Sequence, residues 1–199
     1  VRKIDIRSGH RELFWKGNCV AVGLAAGFLE PLEASAIVLI ELSAKMIADQ
    51  MPPAREVMDI VARRYNEKTL YRWGRIIDFL KLHYVLSQRR DTAFWRDNMD
   101  PATIPERLRE LLALWRWQPP YMHEEFDRVD EVFPSASYQY VLYGMGFRSE
   151  VSARALEPEV RDARRARGQN ADVTARMLTA LPRHRDLINR IVEYGLQPV

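Results

Sequence analysis

Glu33 stands where an acid could do chemistry. It closes the run Glu30-Pro31-Leu32-Glu33, between a glycine-punctuated stretch, Gly17 to Gly27, and an apolar run from Leu32 to Ala48. Proline has its φ preset for a first helical position and needs no N–H there, so Pro31 predicts a helix start with Glu33 in the first turn. The head of a helix carries unpaired N–H groups and a partial positive charge. Such a place suits an anion or an acidic side chain. On the residues alone two readings stand: ordinary charge complementarity at a helix start, or a carboxylate held toward a cavity.

The elements that must position this acid follow from patterning. Lys3 to Arg7 alternates with period two and predicts a half-exposed strand, with a turn at Ser8-Gly9-His10. Leu13-Phe14-Trp15 leads into a small apolar strand, Cys19 to Val22, so a hairpin is expected. Two strands do not make an independent sheet, which suggests that they complete a larger one. Gly23 and Gly27 permit a tight turn or close backbone approach. The helix after Pro31 is apolar almost throughout and is expected to be buried. It stops at Met51-Pro52-Pro53.

A second helical pattern runs from there to about Arg89, with stripes Val57, Ile60, Val61 and Trp73, Ile76, Ile77, Leu80, Tyr84. A break is expected between them at Asn66 to Thr69. His83 falls near the buried stripe, where a histidine serves either as a hydrogen-bonded core residue or in catalysis. Asp91 to Pro105 reads as a connection with a short turn at Phe94-Trp95. A third helix opens at Pro105-Glu106 with Leu108, Leu111, Leu112 and Trp115 on one face. Residues 118 to 136 form an irregular loop rich in aromatics and acids, and long loops of this kind often carry function. Ser137 could cap a fourth helix. Residues 150 to 199 are arginine-rich but nearly balanced by acids, the pattern of a solvated helix face. Gly168-Gln169-Asn170 suggests an interruption there, and Leu187, Ile188, Ile191 and Val192 give the last helix one apolar stripe.

Composition excludes several classes. The 199 residues are 47% hydrophobic and 29% charged, a globular balance sufficient for one domain with a core. A formal net charge of +3 is too mild to argue for nucleic acid. A single cysteine, Cys19, cannot form an intrachain disulfide and suits a reducing cytoplasm. No apolar run is long enough to span a membrane.

The run Gly17-Asn18-x-Val20-Ala21-x-Gly23-Leu24-x-x-Gly27-Phe28-Leu29-Glu30-Pro31-Leu32-Glu33 resembles the signature of the flavin-dependent tryptophan halogenases. Tyr65-Asn66, Asp78-Phe79-Leu80-x-Leu82-His83-Tyr84, Asp91-Thr92-x-Phe94-Trp95 and Ser137-Tyr138 through Gly144-Met145-Gly146 are similar to later segments of that family, in order. The resemblance covers nearly the whole chain. The family begins with a Gly-x-Gly-x-x-Gly turn for the FAD pyrophosphate and carries a Trp-x-Trp-x-Ile-Pro motif and a lysine that handles the oxidised halogen. Gly144-x-Gly146 does not meet the fingerprint. The expectation is a C-terminal part of such an enzyme: mainly α with a small N-terminal β-hairpin, residues 1–30 completing a flavin-side sheet and 31–199 forming a helical substrate-side region.

The resemblance implies a chemistry. Reduced FAD, supplied by a separate reductase and bound mainly outside this chain, reacts with oxygen and then chloride or bromide to give hypohalous acid. Glu33 is implied as the carboxylate that orients the electrophile and stabilises the cationic ring intermediate. Ser35 and Ala36 are implied as halide-binding through backbone N–H groups, and Asn18 and Gly27 as flavin neighbours. Where the family often has Ser-Thr-Gly after the glutamate, this chain has Ala34-Ser35-Ala36. Tyr121, Phe133, Ser137 and Tyr138, with Phe126, are candidates to bind an electron-rich aromatic such as tryptophan or indole; packing the core is the alternative for the rings. The isolated chain is expected to be inactive, the full protein cytoplasmic and possible as a homodimer, with no metal. A flavin-dependent aromatic hydroxylase and a non-catalytic helical interaction module are the other readings.

Overall fold

The computed structural model describes residues 7–121, 131–150 and 157–196. The chain divides into two compact units, one up to Glu150 and one from Val151.

The first unit begins with two short antiparallel pairs. Strand β1 (Gly9–His10) pairs with β4 (Gly27–Phe28), and β2 (Trp15–Lys16) pairs with β3 (Cys19–Val20). The expected hairpin is therefore present, with Gly17-Asn18 as its turn. Gly17 has φ +60°, the sign a two-residue turn with glycine at its first central position requires. Lys3 to Ile6 lie outside the described residues. The expected turn at Ser8-Gly9-His10 is corrected: Gly9 and His10 are strand. The reason is tertiary, because their partner Gly27 has no side chain. A Cβ there would lie 2.6 Å from the Gly9 carbonyl oxygen and 2.6 Å from the Trp73 ring. Cys19, expected in a buried strand, is exposed. Gly23 opens a 3₁₀ turn, Gly23–Ala25, at φ +63°.

Helix α1 spans Ser35–Asp49. Its start is four residues later than Pro31 predicts. Pro31-Leu32-Glu33-Ala34 is a turn closed by the Ala34 N–H on the Pro31 carbonyl at 3.2 Å, and Ala34 sits at φ 53° in the left-handed region. A residue at that φ cannot continue a right-handed helix, so Glu33 precedes α1 instead of lying in its first turn. The helix is not buried all round either. Ser35, Leu39, Ser43 and Met46 are buried, whereas Ile37, Val38 and Ile40 are exposed, because one face alone meets neighbours within this unit.

Helix α2, Met58–Val85, is the axis of the unit. It has no break at Asn66 to Thr69. Thr69 is buried in line with Tyr65, Trp73, Ile76 and Leu80, and Asn66 faces β2. Ile60, expected in a buried stripe, is 47% exposed. One core lies between β2, α1 and the first half of α2, built on Phe14, Trp15, Tyr65, Trp73 and Ile76. A second lies at the other end of α2. It joins Phe79 and Leu82 to α4 (Glu106–Trp115) and α5 (Ser135–Gly144) through Leu108, Trp115, Tyr138 and Leu142. Between α2 and α4, the expected turn at Phe94-Trp95 is a helix, α3 (Ala93–Met99), followed by a 3₁₀ turn, Pro101–Thr103. Helix α5 starts at Ser135 after Pro134, so Ser137 is already inside it and caps nothing.

The second unit consists of α6 (Glu157–Ala180) and α7 (His184–Tyr194). Gly168 does not interrupt α6. None of its described residues is buried. Ile188 and Ile191 are half-buried, while Leu187 and Val192 remain exposed.

Candidate functional site

The Glu30–Ala34 turn is held by side-chain bonds to the end of α2. His83 Nε2 lies 2.9 Å from Glu33 Oε1, and the next residue, Tyr84, donates its hydroxyl to Glu30 Oε1 at 2.9 Å. Consecutive residues of one helix thus grip both carboxylates of one turn. The Glu33 side chain is 33% accessible and that of His83 19%. The acid is tethered by its contact with His83, at a residue that is itself exposed.

Both ring nitrogens of His83 face oxygen acceptors. Nδ1 lies 2.8 Å from the Phe79 carbonyl oxygen, while Nε2 faces the Glu33 carboxylate. The imidazole is thereby fixed between the helix backbone and the turn, and the arrangement can keep the Glu33 carboxylate oriented.

Aromatic side chains surround the pair. Phe79 meets His83 edge-on at 5.1 Å and stacks on Phe133 at 3.9 Å. Tyr84 packs edge-on against Phe94 of α3 at 5.6 Å, beside Trp95. Burial, then the Glu30 carboxylate, pushes the Tyr84 hydroxyl up to about 12.

Beyond Glu33, α1 begins without a side-chain cap. No described residue accepts from the backbone N–H groups of Ser35, Ala36 or Ile37. The Ser35 hydroxyl is buried and lacks a partner. The turn and the helix start border a cavity of about 320 Å³, lined by Gly27, Leu29, Pro31, Ala36 and Trp73 among others.

A second polar cluster ties the loop end to α2. Glu131 accepts from the Tyr71 hydroxyl at 2.9 Å, and Asp78 is held by Arg107 at 3.0 Å and Arg75 at 3.5 Å. Burial raises both carboxyls above their ordinary range, against the pull of the arginines. Tyr71 is pushed up to about 12, by burial first and then by Glu131.

The structure brings Glu33, Ser35 and Ala36 together at one helix start. Gly27 lines the adjoining cavity, and its lack of a side chain is also required by Gly9 and Trp73. Asn18 is exposed in the hairpin turn and does not line that cavity. Phe133 joins the His83 cluster through Phe79. Tyr138 is fully buried against Phe79 and Trp115 in the second core. Tyr121 is 58% exposed, and Ser137 is half-buried in α5. Phe126 lies outside the described residues. The sequence did not single out Tyr84, nor His83 as the partner of Glu33. Their adjacency to Phe79 in one motif was the available signal.

A sequence profile of the family described as tryptophan halogenase matches residues 1–159. The chain belongs to the tryptophan halogenase family. It is 34% identical over 143 residues to a tryptophan 6-halogenase of Streptomyces toxytricini, covering 72% of this chain and 27% of that protein. Among solved structures, a tryptophan halogenase of Shewanella frigidimarina superposes with a TM-score of 0.90 at 42% identity, over 100% of this chain and 38% of that one. A flavin-dependent halogenase of Brevundimonas superposes at 0.76 with 32% identity, over 94% and 37%. This halogenase-family chain therefore spans about a third of the length of these relatives. The mainly helical architecture with its small N-terminal β part is that of the matching segment. Among the described residues no helix is long and apolar enough to cross a membrane, and no cluster of metal-binding side chains occurs.

Proposed function

We propose that the full-length protein is a flavin-dependent halogenase that attaches chloride or bromide to an electron-rich aromatic, tryptophan, indole or a similar ring. The observation that carries this reading is Glu33 held by His83 beside the uncapped start of α1. Electrophilic attack places positive charge on the ring. A fixed carboxylate nearby lowers that barrier, and a fixed partner keeps it from reorienting as the charge develops. The Glu33 carboxylate, held by His83, is also placed to take up the proton the ring releases.

The residues present fit a halide. The first-turn N–H groups of α1 at Ser35 and Ala36, with the orphaned Ser35 hydroxyl, offer donors where helix charge favours an anion. They fit a flavin edge less completely. Gly27 and Ala36 line the adjoining cavity, and Asn18 is a flavin neighbour by family resemblance alone. Reduced flavin, delivered by a separate reductase, would supply hypohalous acid with oxygen and halide. In this chain Glu33 would orient that electrophile, His83 would hold Glu33, and Phe133 stacked on Phe79 would wall the ring. Tyr121, Ser137 and Tyr138 are further substrate-side candidates, Tyr138 acting from the core. Residues 1–30 would complete the flavin-side sheet and the protein would act in the cytoplasm.

The test uses the full-length protein with a flavin reductase, FAD, oxygen, bromide and either tryptophan or indole. Brominated product that disappears without halide is expected. Hydroxylated product independent of halide would overturn the reading in favour of a monooxygenase. Residues 1–199 alone are expected to give no product.

A further inference from the structure

Glu30, the other acid of the turn, has no part in the chemistry proposed for Glu33. Its carboxylate nevertheless accepts the Tyr84 hydroxyl at 2.9 Å. The turn it begins packs poorly: Leu32 is 47% exposed, and Glu33 and Ala34 are also exposed. Ala34 is held at a left-handed φ that disfavours an alanine. Packing therefore does little to fix where the Glu33 carboxylate points. What fixes it is a pair of side-chain bonds to His83 and Tyr84, consecutive residues of a 28-residue helix. In an α-helix the offset between neighbouring residues is set by the backbone, so the two anchor points cannot drift apart. The Tyr84 ring is in turn braced by Phe94 and Trp95 of α3, and Arg89 lies over Trp95 at 4.5 Å.

We infer that the Tyr84–Glu30 hydrogen bond is a positioning strut that holds the turn so that Glu33 meets the substrate, making Tyr84 and Glu30 positioning residues for the proposed halogenation. The inference rests on that reading for its kinetic consequence. Its structural consequence stands independently.

The test compares full-length wild type with Tyr84→Phe, Glu30→Ala, Glu30→Gln and the double variant Tyr84→Phe/Glu30→Ala. Misplacing a catalytic group by about 1 Å can cost two orders of magnitude in rate, and partial loss of one of two anchors should cost about ten-fold. Tyr84→Phe and Glu30→Ala are expected to lower kcat about ten-fold with KM within two-fold. The double variant is expected to be no worse than either single one. Glu30→Gln, whose amide oxygen still accepts from Tyr84, is expected to recover most of kcat. Wild-type kcat in Tyr84→Phe, or multiplicative losses in the double variant, would overturn the strut. A crystal structure of full-length Tyr84→Phe gives a readout independent of activity. The Glu33–His83 contact is expected to lengthen beyond hydrogen-bond distance, and an unchanged contact overturns the inference. Absence of halide-dependent product in wild type would remove the proposed function while leaving this structural result to decide the strut.

Discussion

Asn66 treats Trp15 as a neighbouring strand would. Its Oδ1 accepts the Trp15 N–H at 2.8 Å, and its Nδ2 donates to the Trp15 carbonyl at 2.9 Å; the same Oδ1 also accepts the Phe14 N–H at 2.8 Å. One side-chain amide on α2 thereby satisfies three backbone groups, one of Phe14 and two of Trp15 at the start of β2. It joins the β part of the first unit to its central helix.

Asn66→Ala should orphan those three groups. A buried unsatisfied group costs about 1–3 kcal/mol, and partial access to water places the expected loss near ~3 kcal/mol in total. Denaturant unfolding of the full-length protein measures it. Asn66→Asp keeps the two acceptor bonds and should lose about half as much.

Gly27→Ala places a methyl group against backbone on one side and Trp73 on the other, at 2.6–2.7 Å from Gly9, His10 and Trp73 atoms. Neither backbone neighbour is a flexible side-chain end, so β1 and β4 must separate. Overpacking of this kind costs roughly 1–3 kcal/mol. A lowered thermal midpoint is the expected result, and an unchanged one would show that the strand pair yields freely.

Glu33→Gln leaves the side-chain shape but removes the carboxylate. In the full-length protein, halide-dependent product formation should fall by about 100-fold or more, the scale on which a fixed electrostatic stabiliser acts. His83→Gln retains an N–H for Glu33 and should fall less than His83→Leu, which retains none. Product analysis at saturating substrate separates the three.

Tyr71 and Tyr84 are both held near 12, against an ordinary value of 10. A group whose pKa is raised on folding contributes stability that is fully present below its unfolded value and lost as pH rises through its folded one. Stability should therefore decline between about pH 10 and 12. The tyrosinate absorbance of the native protein should lag behind that of the denatured protein over the same interval. Tyr84→Phe should shorten that lag.

Asp78→Ala leaves Arg75 and Arg107 facing each other around a buried void. Breaking a buried pair by removing one partner typically costs about 3–5 kcal/mol. The raised Asp78 carboxyl shows that burial already opposes the charge, so the loss should fall at the lower end, about 3 kcal/mol. Equilibrium unfolding at neutral pH checks it.

Much of the helical framework was legible. The hydrophobic spacing at Trp73, Ile76 and Leu80 and at Leu108, Leu111 and Trp115 marks buried faces that the structure confirms, because a 3.6-residue period has few other solutions. The helix after Pro31 departs from its sequence pattern in two ways. Its apolar composition suggested burial all round, but Ile37, Val38 and Ile40 find no neighbour in this unit, and composition does not count neighbours. Pro31 has a φ suited to a helix start, whereas two long-range bonds from α2 hold Glu30 and Glu33 in a turn before the helix. The expected break at Asn66 failed for the same reason: a polar residue on an apolar stripe reads as an interruption until its partner strand is known.

The sequence by itself determined that this chain is mainly helical, that a helix begins close to Glu33, and which family its motifs resemble. These are local properties, carried by periodicity and by residues adjacent in the chain. The tertiary structure alone decided that His83 meets Glu33, that Tyr84 grips Glu30, and that Ala34 turns left-handed between that grip and the helix. Each depends on α2 returning past the turn after some fifty residues, a distance in the chain over which no spacing rule operates and only packing chooses the partner.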